Sequence, residues 1–447
     1  MPQKPNIIAV VDPFFGDSGK GRVVNDLVGR LLAADKKVAV VRALGGANAG
    51  HEVILEDGTS RIRHLLPSVH QPGVYMIIGP GTVVHPVWLM KEITEARQAG
   101  LHDIVVSDLA TLTLPVYLVQ ESLEEEARGD QKIGTTKRGI GATYAARAAR
   151  TAFRLDAIRQ PGFAQAFADR EREELRRLCR VHQRDEEDLL VWLLDLEGGF
   201  LEACEQLVPF LRDVSDIHRI YREVDVIILE GNQGTGIDNL FGTYPFVTST
   251  GTTPLAMANA AMLPRVDFTL VVTKAYATRV GNGPFPTKLS GAEAENLRTI
   301  GKEFGRSTGR ARDTGWIDLP YIRYALQVMG IPFLPADRVG LAVTKVDVLD
   351  DLPLIPVCTE YEVDTVATGV APTQLDQLDR VLPFCQHYTG WGVPTVDCRT
   401  YDDDLPADCR VFVRGIASRL GLPLKMVTVG PKPSQAIFVW DEAWLGI

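Results

Sequence analysis

A glycine-rich loop carries a carboxylate and an amine where the first apolar run of the chain ends. The run covers residues 7–11, and the loop reads Gly16-Asp17-Ser18-Gly19-Lys20-Gly21-Arg22. Glycines let backbone N–H groups close around phosphate oxygens, the helix that should follow offers its positive N-terminal end, and Lys20 can neutralise an anion. The loop departs from a Walker A motif, because its spacing is shorter and Gly21 stands where Ser or Thr would follow Lys20. Its local sequence fits a phosphate site and an ordinary strand-to-helix turn equally well.

A second glycine-rich loop follows the apolar segment 38–41 and repeats this strand-then-glycine arrangement. It reads Arg42-Ala43-Leu44-Gly45-Gly46-Ala47-Asn48-Ala49-Gly50-His51. Pairing Asp17 with His51 would supply one group that takes a proton and one that gives it. Many histidines are only partly buried hydrogen-bonding groups, so the local sequence of His51 leaves a structural role open.

The composition is that of a globular protein with a large core and many tight loops. The chain has 447 residues, of which 45% are hydrophobic, 23% are charged and 40 are glycine. A formal net charge of −10 argues against broad nucleic-acid binding, although it allows a local basic pocket for nucleotide phosphates. No long apolar run and no secretory signal are evident, so we expect no membrane partner and a cytoplasmic location. The six cysteines lack C-x-x-C spacing, which predicts free thiols.

Short apolar runs alternate with amphipathic helical stretches along the chain. Buried strands are predicted at residues 104–107, 226–229, 268–272 and 339–343. This alternation predicts an α/β fold with a large, mostly parallel central sheet flanked by helices. With a glycine-rich loop after its first strand, we expect this fold to be P-loop-NTPase-like. Strand signals disappear between residues 155 and 221, where Glu, Arg and Leu recur at helical spacing, and we predict a mostly helical insertion there.

The two loops, with further motifs downstream, resemble those of the adenylosuccinate synthetase family. That family carries a Gly-Asp-Glu-Gly-Lys-Gly-Lys loop and a Gly-Gly-x-Asn-Ala-Gly-His loop at this spacing. The remaining blocks that match keep the family's order and lie at residues 133–136, 138–141, 230–235, 242–249, 275–287, 308–312, 344–350 and 430–431. Because the blocks run from one end of the chain to the other, we predict one large domain over residues 1–447, with residues 155–221 inserted in it.

The resemblance implies a GTP-dependent ligase that joins L-aspartate to C6 of IMP through a 6-phosphoryl intermediate. The products would be adenylosuccinate, GDP and phosphate, on the AMP branch of purine nucleotide biosynthesis. This order of steps answers a chemical need, because the lactam oxygen at C6 leaves poorly until it carries a phosphoryl group. By resemblance, Asp17 would remove the N1 proton, His51 would serve O6 as proton donor or charge stabiliser, and Gln233 would position the purine. Lys20 would offset phosphoryl charge, together with Mg²⁺ bound near Asp17 and the Gly50 carbonyl.

Further roles carried over by position concern the three substrates. GTP would be bound by Gly19, Lys20, Gly21, Lys345, Asp347 and Gly430, with the Asp347 carboxylate accepting from guanine N1 and N2. IMP would be bound by Asn48, Thr136, Gln233, Thr248 and Arg310, and by Arg150 reaching its phosphate from a neighbouring subunit, which implies a homodimer. L-Aspartate would be bound by Thr308, Arg310 and Arg312, because guanidinium groups can bind carboxylates bidentately.

Five positions depart from the family pattern: Ser18, Arg22, Glu52, Lys137 and Asp313. Asp313 adds negative charge beside the loop expected to bind aspartate, which could weaken that binding. In lacking the family's glutamate at position 18, the chain resembles bacteriophage relatives that act on guanine deoxynucleotides. Ligation of aspartate to a modified or 2-amino purine nucleotide such as dGMP is therefore an alternative. A nucleotide-binding regulator without turnover is a second alternative, although the retained set of Asp17, Lys20, His51, Gln233, Arg310 and Arg312 favours the enzyme.

Overall fold

The computed structural model describes residues 5–305, 309, 311–439 and 443–445. Strands and helices alternate, as the apolar pattern predicts. The strands are β1 (Asn6–Asp12), β2 (Val38–Gly45), β3 (His51–Ile54), β4 (Ser60–Arg63), β5 (Tyr75–Val84), β6 (Ile104–Ser107), β7 (Thr111–Leu112), β8 (Leu211–Arg212), β9 (Val226–Gly234), β10 (Phe268–Lys274), β11 (Ala277–Arg279), β12 (Asp313–Gly315), β13 (Ile317–Asp318), β14 (Val339–Thr344), β15 (Leu354–Val363), β16 (Val366–Thr368), β17 (Leu382–Thr389), β18 (Leu424–Thr428) and β19 (Ala436–Phe438).

The α-helices complete the list of main elements. They are α1 (Lys20–Ala33), α2 (Pro86–Gln98), α3 (Pro115–Ala127), α4 (Ile140–Ala149), α5 (Phe163–His182), α6 (Glu186–Glu197), α7 (Phe200–Leu207), α8 (Val214–Glu223), α9 (Pro254–Ala260), α10 (Gly291–Gly301), α11 (Leu319–Val328), α12 (Leu375–Leu378) and α13 (Ala407–Leu420). Within the described residues no helix is both long enough and apolar enough to cross a membrane.

A large central sheet organises the molecule. Its strand order is β19-β18-β14-β10-β1-β9-β2-β5-β6-β8, with β7 also paired to β5. All of these pairings are parallel except that of β18 with β19. The four strands predicted from sequence all lie in this sheet, so the predicted fold class is confirmed.

Apolar side chains cover both faces of the sheet. In β1, Ile7, Ala9 and Val11 belong to one buried cluster, while Ile8 and Val10 belong to another on the opposite face. Because successive side chains of a strand point to opposite faces, a strand covered on both faces must be apolar throughout. This requirement explains the uninterrupted apolar runs that marked the strands.

The segment 155–221 is mostly helical, as predicted, but it also contributes a strand to the sheet. It contains α5, α6, α7 and the start of α8, and β8 pairs in parallel with β6 at the sheet edge. A two-residue strand between helices carries too little apolar periodicity to be seen in the sequence. The division of the chain into one domain with an insertion stays a prediction.

Parallel pairing also determines where the glycine-rich loops meet. The first loop follows β1, the second follows β2, and the segments at 345–347 and 429–431 follow β14 and β18. Since the carboxyl ends of parallel strands share one edge of a sheet, these loops converge there.

Candidate active site

A cavity of about 470 Å³ opens at this edge of the sheet. The residues that the sequence assigned to catalysis, nucleotides and metal mostly line it together: Asp17, Gly19, Lys20, Gly21, Asn48, Gly50, His51, Thr136, Gln233, Thr248, Arg312, Lys345, Asp347 and Gly430. Arg150 does not line the cavity and is exposed at the end of α4. Thr308 and Arg310 lie outside the described residues.

The first loop is shaped by left-handed backbone and by close packing. Asp17 has φ 65°, between Gly16 at 99° and Gly19 at 87°, and α1 begins at Lys20. A Cβ atom at Gly21 would lie 2.7 Å from Oγ of Ser68 and 2.9 Å from Cβ of His51. The sequence therefore uses glycine where the loop turns and where α1 passes the segment that carries His51.

Asp17 forms an ion pair with Arg312, and Arg312 also contacts a second carboxylate, that of Glu303. Nη2 of Arg312 contacts Oδ2 of Asp17, while its Nη1 lies 2.7 Å from Oε2 of Glu303. Enclosure by protein would raise the pKa of Asp17, but the positive charges of Arg312, Lys274 and Lys345 together outweigh this effect and hold that pKa below its usual value. Asp17 is therefore ionised, with its basicity reduced by Arg312.

Glu303 collects four donors in a fully buried position. Its Oε1 lies 2.8 Å from Nζ of Lys274 and 2.8 Å from Nζ of Lys345, and it accepts from the hydroxyl of Tyr276. Burial would raise the pKa of Glu303, but the three cations around it hold that pKa well below its usual range. Burial also lowers the pKa of Lys274 to about 8, although Glu303 opposes the shift. Glu303 thus contacts both Arg312 and Lys345, which stands two residues before Asp347.

His51 is oriented by a buried carboxylate. Its Nδ1 donates to Oε1 of Glu230, and its Nε2 lies 3.3 Å from the carbonyl oxygen of Asn232. Burial lowers the pKa of His51, and the Arg42 charge adds to this while Glu230 opposes it. Burial would raise the pKa of Glu230, but His51, the Arg42 charge and the hydrogen bond from Ser68 together bring that pKa to about 2. The ring is therefore fixed at the cavity wall by a carboxylate that stays ionised.

The segment after β14 presents a carboxylate with an open acceptor. Oδ1 of Asp347 is buried and has no partner among the described residues, and burial raises the pKa of this carboxyl to about 6. Lys345 has φ 59° and donates from Nζ to the carbonyl oxygen of Gly301 at 2.7 Å. Gly430 lies on the same cavity, where a Cβ would meet the Gln435 side chain at 2.5 Å.

Buried polar atoms without a protein partner concentrate in this cavity. Among the described residues that line it, these atoms are Asn48 Oδ1, Gln233 Nε2, Thr248 Oγ1, Asp347 Oδ1, Thr135 Oγ1, Asn232 Oδ1 and Arg312 Nε. A buried polar group that bonds to nothing destabilises the fold by roughly 1–3 kcal/mol. Their presence along one cavity indicates a site built for a polar ligand, and five of them belong to residues that the sequence had singled out.

The family model for adenylosuccinate synthetase matches residues 9–437. The chain belongs to the adenylosuccinate synthetase family. It is 34% identical over 441 residues to the adenylosuccinate synthetase of Magnetococcus marinus, covering 97% of this chain and 98% of that one. It is 36% identical over 443 residues to that of Methylococcus capsulatus, with the same coverage. The chain is thus an enzyme of the adenylosuccinate synthetase type, a ligase that forms a C–N bond.

Solved structures agree with this assignment. The fully ligated adenylosuccinate synthetase of Plasmodium falciparum superposes with a TM-score of 0.84 at 27% identity, covering 97% of this chain and all of that one. The succinoaminodeoxyadenylate synthetase of cyanophage S-2L, bound to dGMP and dATP, superposes with a TM-score of 0.57 at 19% identity over 99% of this chain and 98% of that one. At that identity the phage enzyme shows a shared fold alone, so it does not favour the guanine-nucleotide alternative.

Two departures from the adenylosuccinate synthetase pattern have local bonding partners, and a third lies on the surface. Asp313 forms an ion pair with Lys288 at 2.8 Å, which offsets the negative charge that the sequence places beside the aspartate loop. Glu52 accepts from the Ser60 hydroxyl at 2.7 Å across the β3–β4 hairpin. Lys137 has φ 54° and is exposed.

Arg22, a fourth departure, holds the loop around Gly430. Its Nη1 donates to the carbonyl oxygen of Gly430, its Nη2 donates to that of Lys432 at 2.6 Å, and its Nε pairs with Asp26 at 3.0 Å. The two forks of a guanidinium suit this double contact, which a lysine ammonium could not make in the same geometry.

The sequence analysis assigned no role to five buried residues that hydrogen-bond to the residues lining the cavity or to one another. These are Asp12, Glu230, Lys274, Tyr276 and Glu303. A charged residue at the end of an apolar run was a usable signal for Asp12 and Lys274, because a buried strand rarely ends on an unpaired charge. Nothing local in the sequence marks Glu303, whose partners are spread over three other segments.

Proposed function

We propose that this chain joins L-aspartate to C6 of IMP in a GTP-dependent reaction and releases GDP and phosphate. Membership of the adenylosuccinate synthetase family supports the reaction. The observation that carries the proposal is the convergence of Asp17, Lys20, His51 and Asp347 on one cavity. These residues supply a base, a phosphate partner, an imidazole held by Glu230 and a guanine acceptor at one cavity.

Asp17 is proposed to take the proton from N1 of IMP. Loss of that proton turns the lactam into a nucleophile, whose O6 attacks the γ-phosphorus while the bond to the β-phosphate oxygen breaks and GDP leaves. His51, held by Glu230, would stabilise the charge at O6, and Lys20 would face the transferred phosphoryl oxygens.

Arg312 is proposed to link amino-acid binding to this proton transfer. Its Nε has no partner among the described residues, and its Nη2 contacts Asp17. If a carboxylate of L-aspartate also binds the Arg312 guanidinium, the positive charge of Arg312 is shared between the two carboxylates and the basicity of Asp17 rises. The α-amino group of L-aspartate then attacks C6, phosphate leaves with O6, and the C–N bond forms.

Asp347 is proposed to select guanine in the donor. Its buried acceptor has no protein partner, and guanine offers donors at N1 and N2 that adenine lacks. The donor set at Asp17 and the Gly50 carbonyl, both on the cavity, consists of the oxygen ligands that Mg²⁺ prefers. When bound there, Mg²⁺ would neutralise phosphate charge.

The remaining assignments follow the family resemblance and the position of each residue. Asn48, Gln233 and Thr248 line the cavity, and each has a buried polar atom with no partner among the described residues, which supports contacts with IMP. Thr136 lines the same cavity. Arg150 is exposed and away from its own cavity, which suits a phosphate contact in a second copy and hence a homodimer. We place the enzyme in the cytoplasm, acting on small molecules and not on nucleic acid.

Phosphate release by the purified protein tests the reaction. Mg²⁺, GTP and L-aspartate are supplied with IMP, dIMP, GMP or dGMP in turn, and products are identified by mass. Release that requires both IMP and L-aspartate, with a product of adenylosuccinate mass, is expected. Preference for GMP or dGMP would overturn the choice of IMP, and nucleotide binding without release in every mixture would indicate the regulator.

A further inference from the structure

Asp12 is a buried carboxylate at the carboxyl end of β1, at the base of the phosphate-binding loop. Its side chain has no exposed surface. Oδ1 accepts from the Phe14 N–H at 2.7 Å, and Oδ2 accepts from the Ser18 N–H at 3.2 Å. Oδ2 also lies 3.1 Å from Nζ of Lys20. A single carboxylate therefore bonds the backbone on either side of Gly16 and Asp17 and also the amine of Lys20.

Lys20 has little freedom in this arrangement. Its side chain is 2% exposed, and Asp12 is its one ion-pair partner in the described part of the chain. Its stem passes β9 closely, because a Cβ at Gly231 would lie 3.4 Å from its Cδ. An ammonium carries three donors, so two remain after the bond to Asp12, and Lys20 lines the cavity.

The loop is also fixed from its other side. The carbonyl oxygen of Ser18 accepts from Oγ1 of Thr344, at the end of β14, at 2.7 Å. Both backbone groups of Ser18 are therefore bonded within the protein, one to Asp12 and one to Thr344. Asp17, which precedes Ser18 and has left-handed backbone, is held in place by the same contacts.

We propose that Asp12 is a positioning residue for GTP, acting through Lys20. The inference rests on the proposed function, in which this loop binds the phosphates of GTP. A lysine side chain normally loses rotamer freedom when it binds an anion. Because Asp12 fixes the ammonium beforehand, less freedom is lost when GTP binds, and the charge already lies beside the phosphate oxygens.

A double-mutant cycle tests whether Asp12 acts through Lys20. The dissociation constant of GTP with Mg²⁺ is measured by calorimetry, which needs no turnover, for Asp12→Asn in the wild-type protein and in a Lys20→Ala background. We expect Asp12→Asn to weaken GTP binding by about 10-fold in the first and by less than about 2-fold in the second. Equal weakening in both backgrounds would overturn the proposal, because Asp12 would then act on the loop independently of Lys20.

Glu92→Gln is a matched control, since Glu92 is also a buried carboxylate that bonds backbone N–H groups, here those of residues 64–66. It lies outside the cavity lining. We expect a lower melting temperature for Glu92→Gln with GTP binding unchanged. A GTP defect as large as that of Asp12→Asn would mean that any loss of stability produces it, which overturns the specific role.

Asp12→Glu keeps the test valid if Asp12→Asn does not fold. It retains the charge but moves it by one methylene, and the same cycle with Lys20→Ala applies. A wild-type protein that binds GTP but releases no phosphate with IMP and L-aspartate would refute the proposed reaction and leave the Asp12 cycle intact. A wild-type protein that binds no GTP would overturn the role of Asp12.

Discussion

Arg312 forms an ion pair with Asp17, so the guanidinium expected to bind L-aspartate also sets the basicity of the carboxylate expected to take the N1 proton. An ionised carboxylate beside a fixed positive charge is a weak base. The pairing therefore opposes proton removal until another anion competes for Arg312. In the proposed mechanism, amino-acid binding and activation of IMP therefore depend on the same side chain.

Replacement of Asp17 by Asn tests the base directly. The amide has nearly the same size but cannot accept a proton, so we expect kcat to fall by about 10²–10⁴-fold. Phosphate release with IMP, GTP and L-aspartate measures the effect. Asp313→Asn is the control, because Asp313 is an exposed carboxylate paired with Lys288, and its loss should leave kcat within about 2-fold. Near-normal turnover by Asp17→Asn would rule out the base role.

Replacement of Glu303 by Gln should affect two substrates at once. Glu303 contacts both Arg312 and Lys345, and a neutral amide would leave buried cations without their partner. We expect the KM values for L-aspartate and for GTP both to rise by about 10-fold, with a loss of stability of about 3–5 kcal/mol. Steady-state kinetics in each substrate and thermal unfolding measure these effects.

Glu295→Gln is the control for that experiment. Glu295 lies on α10 and pairs with Arg298 on the same helix, but its side chain is largely exposed. Its replacement should change stability by less than about 1 kcal/mol and leave both KM values unaltered. A rise in only one KM for Glu303→Gln would show that Glu303 does not connect the two sites.

GTP affinity should depend on pH through Asp347. Burial raises the pKa of this carboxyl to about 6, so it is ionised at pH 7 and becomes protonated as the pH falls through 6. Only the ionised form can accept from both guanine donors, and binding should therefore weaken by up to about 10-fold per pH unit below 6. Calorimetry between pH 5 and 8 measures the slope.

Asp347→Asn separates this effect from titration of the phosphates of GTP. The amide does not titrate, whereas the ligand's own titration is the same with both proteins. The difference in pH slope between wild type and Asp347→Asn is therefore attributable to Asp347. Parallel slopes would mean that the carboxylate does not contact the guanine.

Local sequence was sufficient to predict strands, turns and site residues wherever a single segment determines the structure. The run 7–11 had to be a strand buried on both faces, and the glycines after it had to form a turn at the carboxyl edge. The same reasoning placed Asp347 after β14. Since all these strands are parallel, assigning them was enough to bring Asp17, His51 and Asp347 to one edge of the sheet.

Contacts between distant segments could not be predicted in this way. Glu303 follows α10 and contacts Lys274 of β10, Lys345 after β14 and Arg312 just before β12, so its partners depend on the completed fold. The pairing of Arg312 with Asp17 depends on the same packing. Arg150 does not line its own cavity, so the phosphate contact proposed for it needs a second copy of the chain.

Gly21→Ala should disturb catalysis through His51. The added Cβ would lie 2.7 Å from Oγ of Ser68 and 2.9 Å from Cβ of His51, closer than packed atoms allow. Because Ser68 and His51 both bond Glu230, a shift of either should misplace the imidazole. We expect kcat to fall by about 10²-fold, since displacement of a catalytic group by about an ångström has this effect.

Gly29→Ala on the same helix is the control for Gly21→Ala. Its Cβ would lie 3.6 Å from Nε2 of Gln71, an ordinary contact. Alanine should stabilise α1 by about 0.5–1 kcal/mol at that position and leave kcat unchanged. Measuring kcat and melting temperature for both variants separates the two effects. If Gly21→Ala kept full activity, the contact between α1 and the His51 segment would not position the imidazole for catalysis.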